Sequence, residues 1–409
     1  MDDKHELRLR RKALRLLLKG IPAKVILNLV HRSPAWLSKW QKRLNQEGVS
    51  GLRSRSRRPQ HTPNTCLPGI VRLIIQTRRR LVKQQVGLIG PRAIQRELRK
   101  ILGKQTPSLA TIKRVLQKHE LVSTSTEEVP AYFPKPLKTV EGILHAMDWT
   151  CRYLEEGPKV YAFHTLNLHT RACTQTIAAD KSGETVIRHC FQTWKTLGIP
   201  RFLQLDNDAA FCGGYKTPRL FGQFVRLCLY LGIELIFLPI AEPEYNGEVE
   251  ELNGLWGHSF WERRRFASFG QVVRASPAFA RWYMTDYAPP VLGDLTPQQA
   301  HRREPQWRLT ATQIAHLPDP LPITAGCVHF IRKVKPDGTI SVFNETWRVS
   351  KRLAGKYVWA TITTHCRRLE IWYQSSTQHD WRLLKTYVYD LSETIARLRP
   401  EFVHSKSAC

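Results

Sequence analysis

No apolar run in this 409-residue sequence approaches the roughly 20 residues needed to span a bilayer. The first residues, Met1-Asp2-Asp3-Lys4, are charged and lack an apolar secretory stretch. Both absences speak against membrane and secreted classes, predict a cytoplasmic, nucleoid-associated protein and leave out any membrane partner. No C-x-x-C pair occurs among the nine cysteines, and their number is odd. They read as reduced thiols, mostly core filler, with no zinc site indicated. Acidic side chains are the scarce charge, 34 Asp+Glu against 63 Lys+Arg, for a net of +29.

That scarcity is uneven. Residues 1–130 hold 29 basic and 8 acidic side chains, residues 131–260 hold 12 and 14, and residues 261–409 hold 22 and 12. Two basic flanks around a near-neutral centre imply a polyanionic partner, most simply nucleic acid. The length predicts two to four domains.

The N-terminal third is patterned for helices. Arg8 to Leu18 places Leu9, Leu14 and Leu17 at helical spacing and stops at Gly20. A short helix follows to Val30, and Ser33-Pro34 then caps a third with Trp36, Leu37, Trp40 and Leu44 for burial. Lys39, Lys42 and Arg43 on that helix complete a helix-turn-helix pattern over residues 1–50. The stretch 51–65 is a basic linker whose Arg53, Arg55, Arg57 and Arg58 suit a phosphate backbone or a minor groove. Residues 66–125 repeat the three-helix logic, with Ser108 capping a helix that exposes Lys113, Arg114 and Lys118.

Beyond a spacer the period changes to strands. Gly142 to Trp149, Val160 to Leu168 and Arg171 to Ala178 come first, then helix and strand alternate to Leu238. That order predicts a mixed α/β sheet covered by helices over residues 137–270. A helical connector over 271–320 leads to five short strands over 321–375, expected as a small all-β barrel with a basic surface that includes Arg332. Residues 376–409 are left as a C-terminal tail.

Chemistry belongs in the neutral centre. Asp148 and Asp206 each close an apolar strand, in HAMDWT and FLQLDNDAAF. A helix begins just after Tyr245-Asn246-Gly247, with Val249, Leu252, Trp256 and Phe260 as its buried stripe. Glu250 falls off that stripe near the helix start, and Glu248 is the weaker candidate. Asn253, three residues on, suits a DNA contact. Each acid alone reads as a turn or cap residue; the ordered set Asp148, Asp206, Glu250 does not. Three facing carboxylates repel, and hard divalent cations resolve that repulsion. Two Mg²⁺ ions about 3.5–4 Å apart, with Mn²⁺ able to substitute, could activate one oxygen and stabilise a departing one.

The segments HAMDWT, LQLDNDAAF and YNGEVEELNGLW resemble the DDE transposase and retroviral-type integrase superfamily, whose core is ribonuclease H-like. WERRRF at 261–266 and LTPQQA at 295–300 resemble segments downstream of that core, and GLRSRSRRPQHTP resembles the linker of insertion-sequence transposases with paired helix-turn-helix modules. The resemblance covers about residues 5–375. It implies Asp148, Asp206 and Glu250 as catalytic, metal-holding acids, and a DNA transposase or integrase that cleaves 3′ ends and transfers them into target DNA. Element terminal repeats, target DNA, a homo-oligomer on DNA and a helper ATPase are the implied partners. Two departures stand out: Asp208 replaces the usual glycine, and 43 residues separate Asp206 from Glu250, with the excess around Cys212 to Phe221. A catalytically silent DNA-binding regulator, a partner-dependent subunit and a nuclease that cuts without joining are the other readings.

Overall fold

The computed structural model describes residues 3–55, 66–121, 143–155, 157–212, 219–240, 242–374 and 381–402. Arg57, Arg58, the spacer before the first strand and most of the segment around Cys212 to Phe221 lie outside them. The chain forms two compact units, Met1–Leu67 and Pro68–Cys409.

The first unit is three helices, α1 (Asp3–Leu18), α2 (Ala23–Val30) and α3 (Pro34–Glu47), closed by a 3₁₀ turn to Leu52. Gly20, at φ +80°, ends α1 where the sequence places the stop. The Ser33 hydroxyl accepts from the Trp36 N–H, as its capping position requires. Ala13, Leu14, Ile26, Val30, Leu37, Trp40 and Leu52 form the core. Arg10 lies 3.9 Å over the Trp40 ring and donates to the Leu52 carbonyl at 2.9 Å.

The second unit begins with α4 (Pro68–Lys83), α5 (Pro91–Leu102) and α6 (Leu109–Lys118), packed around Ile74, Leu81, Ile94, Leu98, Ile112 and Leu116. Arg263, in WERRRF, donates to the carbonyls of Leu81, Val82 and Gly87 at 3.0, 3.0 and 2.9 Å, and to that of Gln84. Those carbonyls end α4 and follow it, where helix geometry leaves acceptors without partners. The guanidinium thereby clasps the helical module to the rest of its unit.

The expected mixed sheet is present. Strands β1 (Leu144–Tyr153), β2 (Lys159–Asn167) and β3 (Cys173–Ala178) form an antiparallel meander. Helices α7 (Gly183–Thr196), α8 (Ala209–Cys212) and α9 (Gln223–Tyr230) separate β3, β4 (Phe202–Leu205) and β5 (Glu234–Phe237), and β4 runs parallel to both β1 and β5. One face is covered by α7 and α9 around Met147, Phe163, Trp194 and Phe224. The other packs Ala146, Ala162 and Leu166 beneath α10 (Gly247–Ser259) and α11 (Phe269–Thr285). Alternate residues of one strand serve opposite layers, so β1 sends Met147 one way and Ala146 the other.

The C-terminal strands correct the barrel expectation. β6 (Cys327–Lys333) pairs in parallel with β5, and β9 (Tyr357–Thr363), β10 (Arg368–Tyr373) and β11 (Arg382–Val388) extend the same sheet. Among the described residues, β7 (Thr339–Val342) and β8 (Glu345–Arg348) form a separate two-stranded hairpin. Period-2 patterning reads strands but not their partners, and β5 supplies an open edge whose N–H and C=O groups need pairing. β11, within the unassigned tail, alternates too weakly to announce itself.

Candidate active site

Strand register brings the two aspartates level. Ala146 pairs with Gln204 in the parallel β1–β4 ladder. Asp148 and Asp206 each lie two residues further on, so both side chains leave the face that Ala146 shares with α10. Asp206 sits just past β4, as the sequence suggests. Asp148 does not end its strand, because β1 stays paired with β2 through Tyr153.

Gln204 sets the helix against them. Its amide donates to the Tyr245 carbonyl at 3.3 Å and to Asn246 Oδ1 at 3.1 Å, holding the turn that opens α10. Val249, Leu252 and Trp256 then fill the core, and Glu250 lies on the cleft with the aspartates. Asp148, Asp206 and Glu250 line one cleft of about 310 Å³ with Asn207, Leu238, Pro239, Ile240, Glu242 and Asn246. Glu248 points elsewhere, 3.9 Å from Arg171, and Glu242 is engaged by the Tyr357 hydroxyl and by Lys333 at 3.3 Å.

Among the described residues, no basic side chain lines the cleft. Burial pushes the Asp148 carboxyl up to about 7; repulsion from Asp206 and Glu250 adds to it, against hydrogen bonds from the Trp149 backbone and Asn253. Asp206 is raised too, by burial and by Asp208, against a backbone hydrogen bond from Asp208 and the charge of Lys181. Neither thiol nor imidazole lines the cleft among the described residues, so the donors are hard oxygens. That donor set fits Mg²⁺ or Mn²⁺. Glu234, Cys327 and His329 also cluster, but both ring nitrogens of His329 are engaged, by Glu234 at 2.8 Å and Thr361 at 2.9 Å.

Asp208 has a structural account. It accepts from the Ala210 N–H at 2.8 Å, capping α8, and pairs with Lys181 at 2.8 Å. Lys181 also lies 4.3 Å over the Trp149 ring, which places a cation beside the acids that no sequence motif marks.

Three expectations need correcting. Asn253 is 9 % exposed and gives its amide N–H to Asp148 Oδ2 at 2.8 Å, so it supports the carboxylate and does not face DNA. Arg43 is drawn back onto the protein, 4.8 Å over Trp40 and 3.8 Å from Glu47, because its helix turn brings both within reach. Arg332, expected on a basic surface, is buried; it donates to the carbonyls of Phe237, Leu238 and Ser341 and, at 2.6 Å, to Asn207. It thus pins the ends of β4 and β5 beside Asp206. Arg332→Met is expected to lower the melting temperature by at least about 5 °C, since several charge-assisted bonds are lost. An unchanged melting temperature would show that the strand ends hold themselves. Lys39, Lys42, Arg53, Arg55, Lys113, Arg114 and Lys118 are exposed, with Arg55 paired to Glu47.

Residues 4–53, which are α1 to α3 and the closing turn, match the homeodomain-like domain family. Residues 33–80 match the leucine-zipper of insertion element IS481, although α3 and α4 are separate helices here. The N-terminal region is helix-turn-helix in type, and the two matches support an insertion-element transposase or integrase. Among solved structures, the HTLV-2 integrase catalytic core domain in complex with magnesium is similar at 17 % identity, covering 39 % of this chain and 94 % of its own, with a TM-score of 0.30. A chain of the simian T-cell lymphotropic virus intasome matches at 13 % identity over 72 % of this chain and 93 % of its own, with a TM-score of 0.33. Among the described residues, no helix is long and apolar enough to cross a membrane.

Proposed function

We propose that the protein is a DNA transposase that cleaves the 3′ ends of a mobile element and joins them to target DNA. The observation that carries this is the convergence of Asp148, Asp206 and Glu250 on one cleft, in a chain with a homeodomain-like N terminus and a net charge of +29. Asp148, Asp206 and Glu250 would hold divalent cations. When bound, Mg²⁺ supplies Lewis acidity toward phosphate oxygens and lowers the pKa of an attacking hydroxyl or water.

The chain's own residues prepare that chemistry. Gln204 and Arg332 fix the strand ends and the helix start, so the acids keep their spacing without substrate. Asn253 orients Asp148, and Lys181 offsets part of the charge near Asp206. The exposed lysines of α3 and α6 would bind phosphates along terminal-repeat DNA, with further subunits assembling there. Lys39→Ala and Lys42→Ala are each expected to lessen the slope of log binding constant against log salt by about one. Slopes equal to the wild type would remove those lysines from the DNA surface.

The deciding assay supplies labelled duplexes copied from the DNA flanking the gene, a supercoiled plasmid target, and Mg²⁺ or Mn²⁺. Metal-dependent joined product, absent from Asp206→Asn, is expected. Tight end binding with no cutting or joining would favour a regulator or a partner-dependent subunit, and cutting without joining a nuclease.

A further inference from the structure

Behind Asp148 the sheet carries a row of polar side chains. Asp148, His164 and Gln175 are direct cross-strand neighbours on β1, β2 and β3, so all three project to one face, beneath α10 and α11. Hydrogen bonds join this row to the helices. Ser276 Oγ donates to Gln175 Oε1 at 2.7 Å, and Gln175 Nε2 lies 2.8 Å from His164 Nε2. His164 Nδ1 lies 2.6 Å from Asn253 Oδ1, and Asn253 Nδ2 donates to Asp148 Oδ2 at 2.8 Å. His164 is wholly buried, and Ser276 and Asn253 are nearly so.

The carboxylate end of this row decides its direction. An ionised Asp148, the form that would hold a cation, only accepts, so Asn253 must offer it its NH₂ and turn its Oδ1 to the ring. An amide oxygen also only accepts, so His164 carries its proton on Nδ1. Burial keeps the imidazole neutral, which leaves a lone pair on Nε2. Gln175 must therefore donate there and accept from Ser276. Reversing any one member would set acceptor against acceptor somewhere in the row.

We infer that Ser276, Gln175, His164 and Asn253 form a one-way hydrogen-bond relay that positions Asp148 for its divalent cation. Asn253 occupies Oδ2 and fixes the rotation of the carboxylate, so the other oxygen is presented to the cleft. His164 and Gln175 never meet the cation; they are positioning residues that set the orientation of Asn253. The inference rests on reading the cleft as a divalent-cation site. A row serving only as polar packing would keep the same direction but leave cation affinity indifferent to its reversal, and direction is what an experiment can reverse.

Gln175→Glu keeps size and hydrogen bonding, and once ionised it only accepts. With the ring neutral, the proton then sits on Nε2, Asn253 turns over, and an amide oxygen faces Asp148; a doubly protonated ring, visible in the same spectra, would keep Nδ1–H on Asn253 and leave Mn²⁺ affinity at the wild-type value. In the full-length chain, ¹⁵N spectra of the histidine rings should show a neutral ring with its proton on Nδ1 in the wild type, moved to Nε2 in Gln175→Glu. Mn²⁺ affinity, measured by electron paramagnetic resonance without DNA, should fall about tenfold or more in Gln175→Glu. Ser276→Ala, at the far end, should change it by less than about twofold, since Gln175 keeps its direction. In joining assays the half-saturating Mn²⁺ concentration should rise while the maximal rate recovers. A wild-type proton on Nε2 would overturn the inference, as would unchanged Mn²⁺ affinity in Gln175→Glu once its proton has moved. Should Gln175→Glu fail to fold, Gln175→Met, which leaves Nε2 without its donor and the ring free to change tautomer, takes its place in the Mn²⁺ measurement, and unchanged affinity there would overturn the inference. Wild-type protein that binds Mn²⁺ but joins no DNA would sink the transposase reading and leave the relay standing. Joining indifferent to Gln175→Glu would do the reverse.

Discussion

Asp148→Asn is expected to abolish joining, by at least about a hundredfold, and yet to make the cation-free protein more stable at pH 8. The sign follows from the carboxyl's position. Burial raises Asp148 to about 7 in the folded state, whereas an unfolded aspartate titrates near 3.9. Between those values the folded protein holds the proton more tightly, so stability falls as pH rises and the full penalty applies above pH 7. A shift of that size corresponds to roughly 4 kcal/mol, and a gain of several degrees in melting temperature is the expected reading. Below about pH 4 the wild type and variant should converge, because the acid is protonated in both states. Mg²⁺ should raise the melting temperature of the wild type and leave the variant unmoved. A variant no more stable than the wild type at pH 8 would mean that burial does not raise the Asp148 carboxyl.

Acid should unfold the second unit steeply. His145, His164 and His189 are fully buried, and loss of solvation lowers them to about 3, 4 and 3. An unfolded histidine takes its proton near pH 6.5, so each contributes stability above that pH which drains away as pH falls toward its folded value. Three such groups give a slope of up to about 4 kcal/mol per pH unit, against a total stability on the order of 10 kcal/mol. Asp148 works in the opposite direction over part of this range. The cleanest measurement therefore uses Asp148→Asn, following melting temperature from pH 8 to pH 4.5. A profile flat to pH 5 would show that water reaches those rings.

Much of the site was legible because local rules govern it. Asp206 follows an apolar strand and Glu250 departs from a helical core stripe, both properties of short windows. Ser33 and Ser108 cap their helices for the same local reason. What escaped depends on partners distant in sequence. Asn253 reads as a DNA contact from its place three residues after Glu250, but it also lies four residues after Val249, within the buried stripe, and its partner Asp148 is 105 residues away. Arg332 reads as surface charge beside Lys333 and Lys335; the Phe237 and Leu238 carbonyls and Asn207, which bury it, lie 94 to 125 residues earlier. The barrel failed similarly, since strands carry no mark of which edge they will join.

The pairing of β6 with β5 has a consequence for the order of synthesis. A nascent chain that has emerged only as far as Ser259 already contains all three carboxylates and the helix that carries the last of them. It still lacks Arg332, which reaches 94 residues back to the Leu238 carbonyl and braces the loop beyond Asp206. It also leaves one side of β5 waiting for a neighbour. Chains emerge at about 5–20 residues per second, so the acids wait several seconds before the brace arrives. The cleft is thus among the last parts to be finished, and a truncated translation product carries the acids without the frame that spaces them.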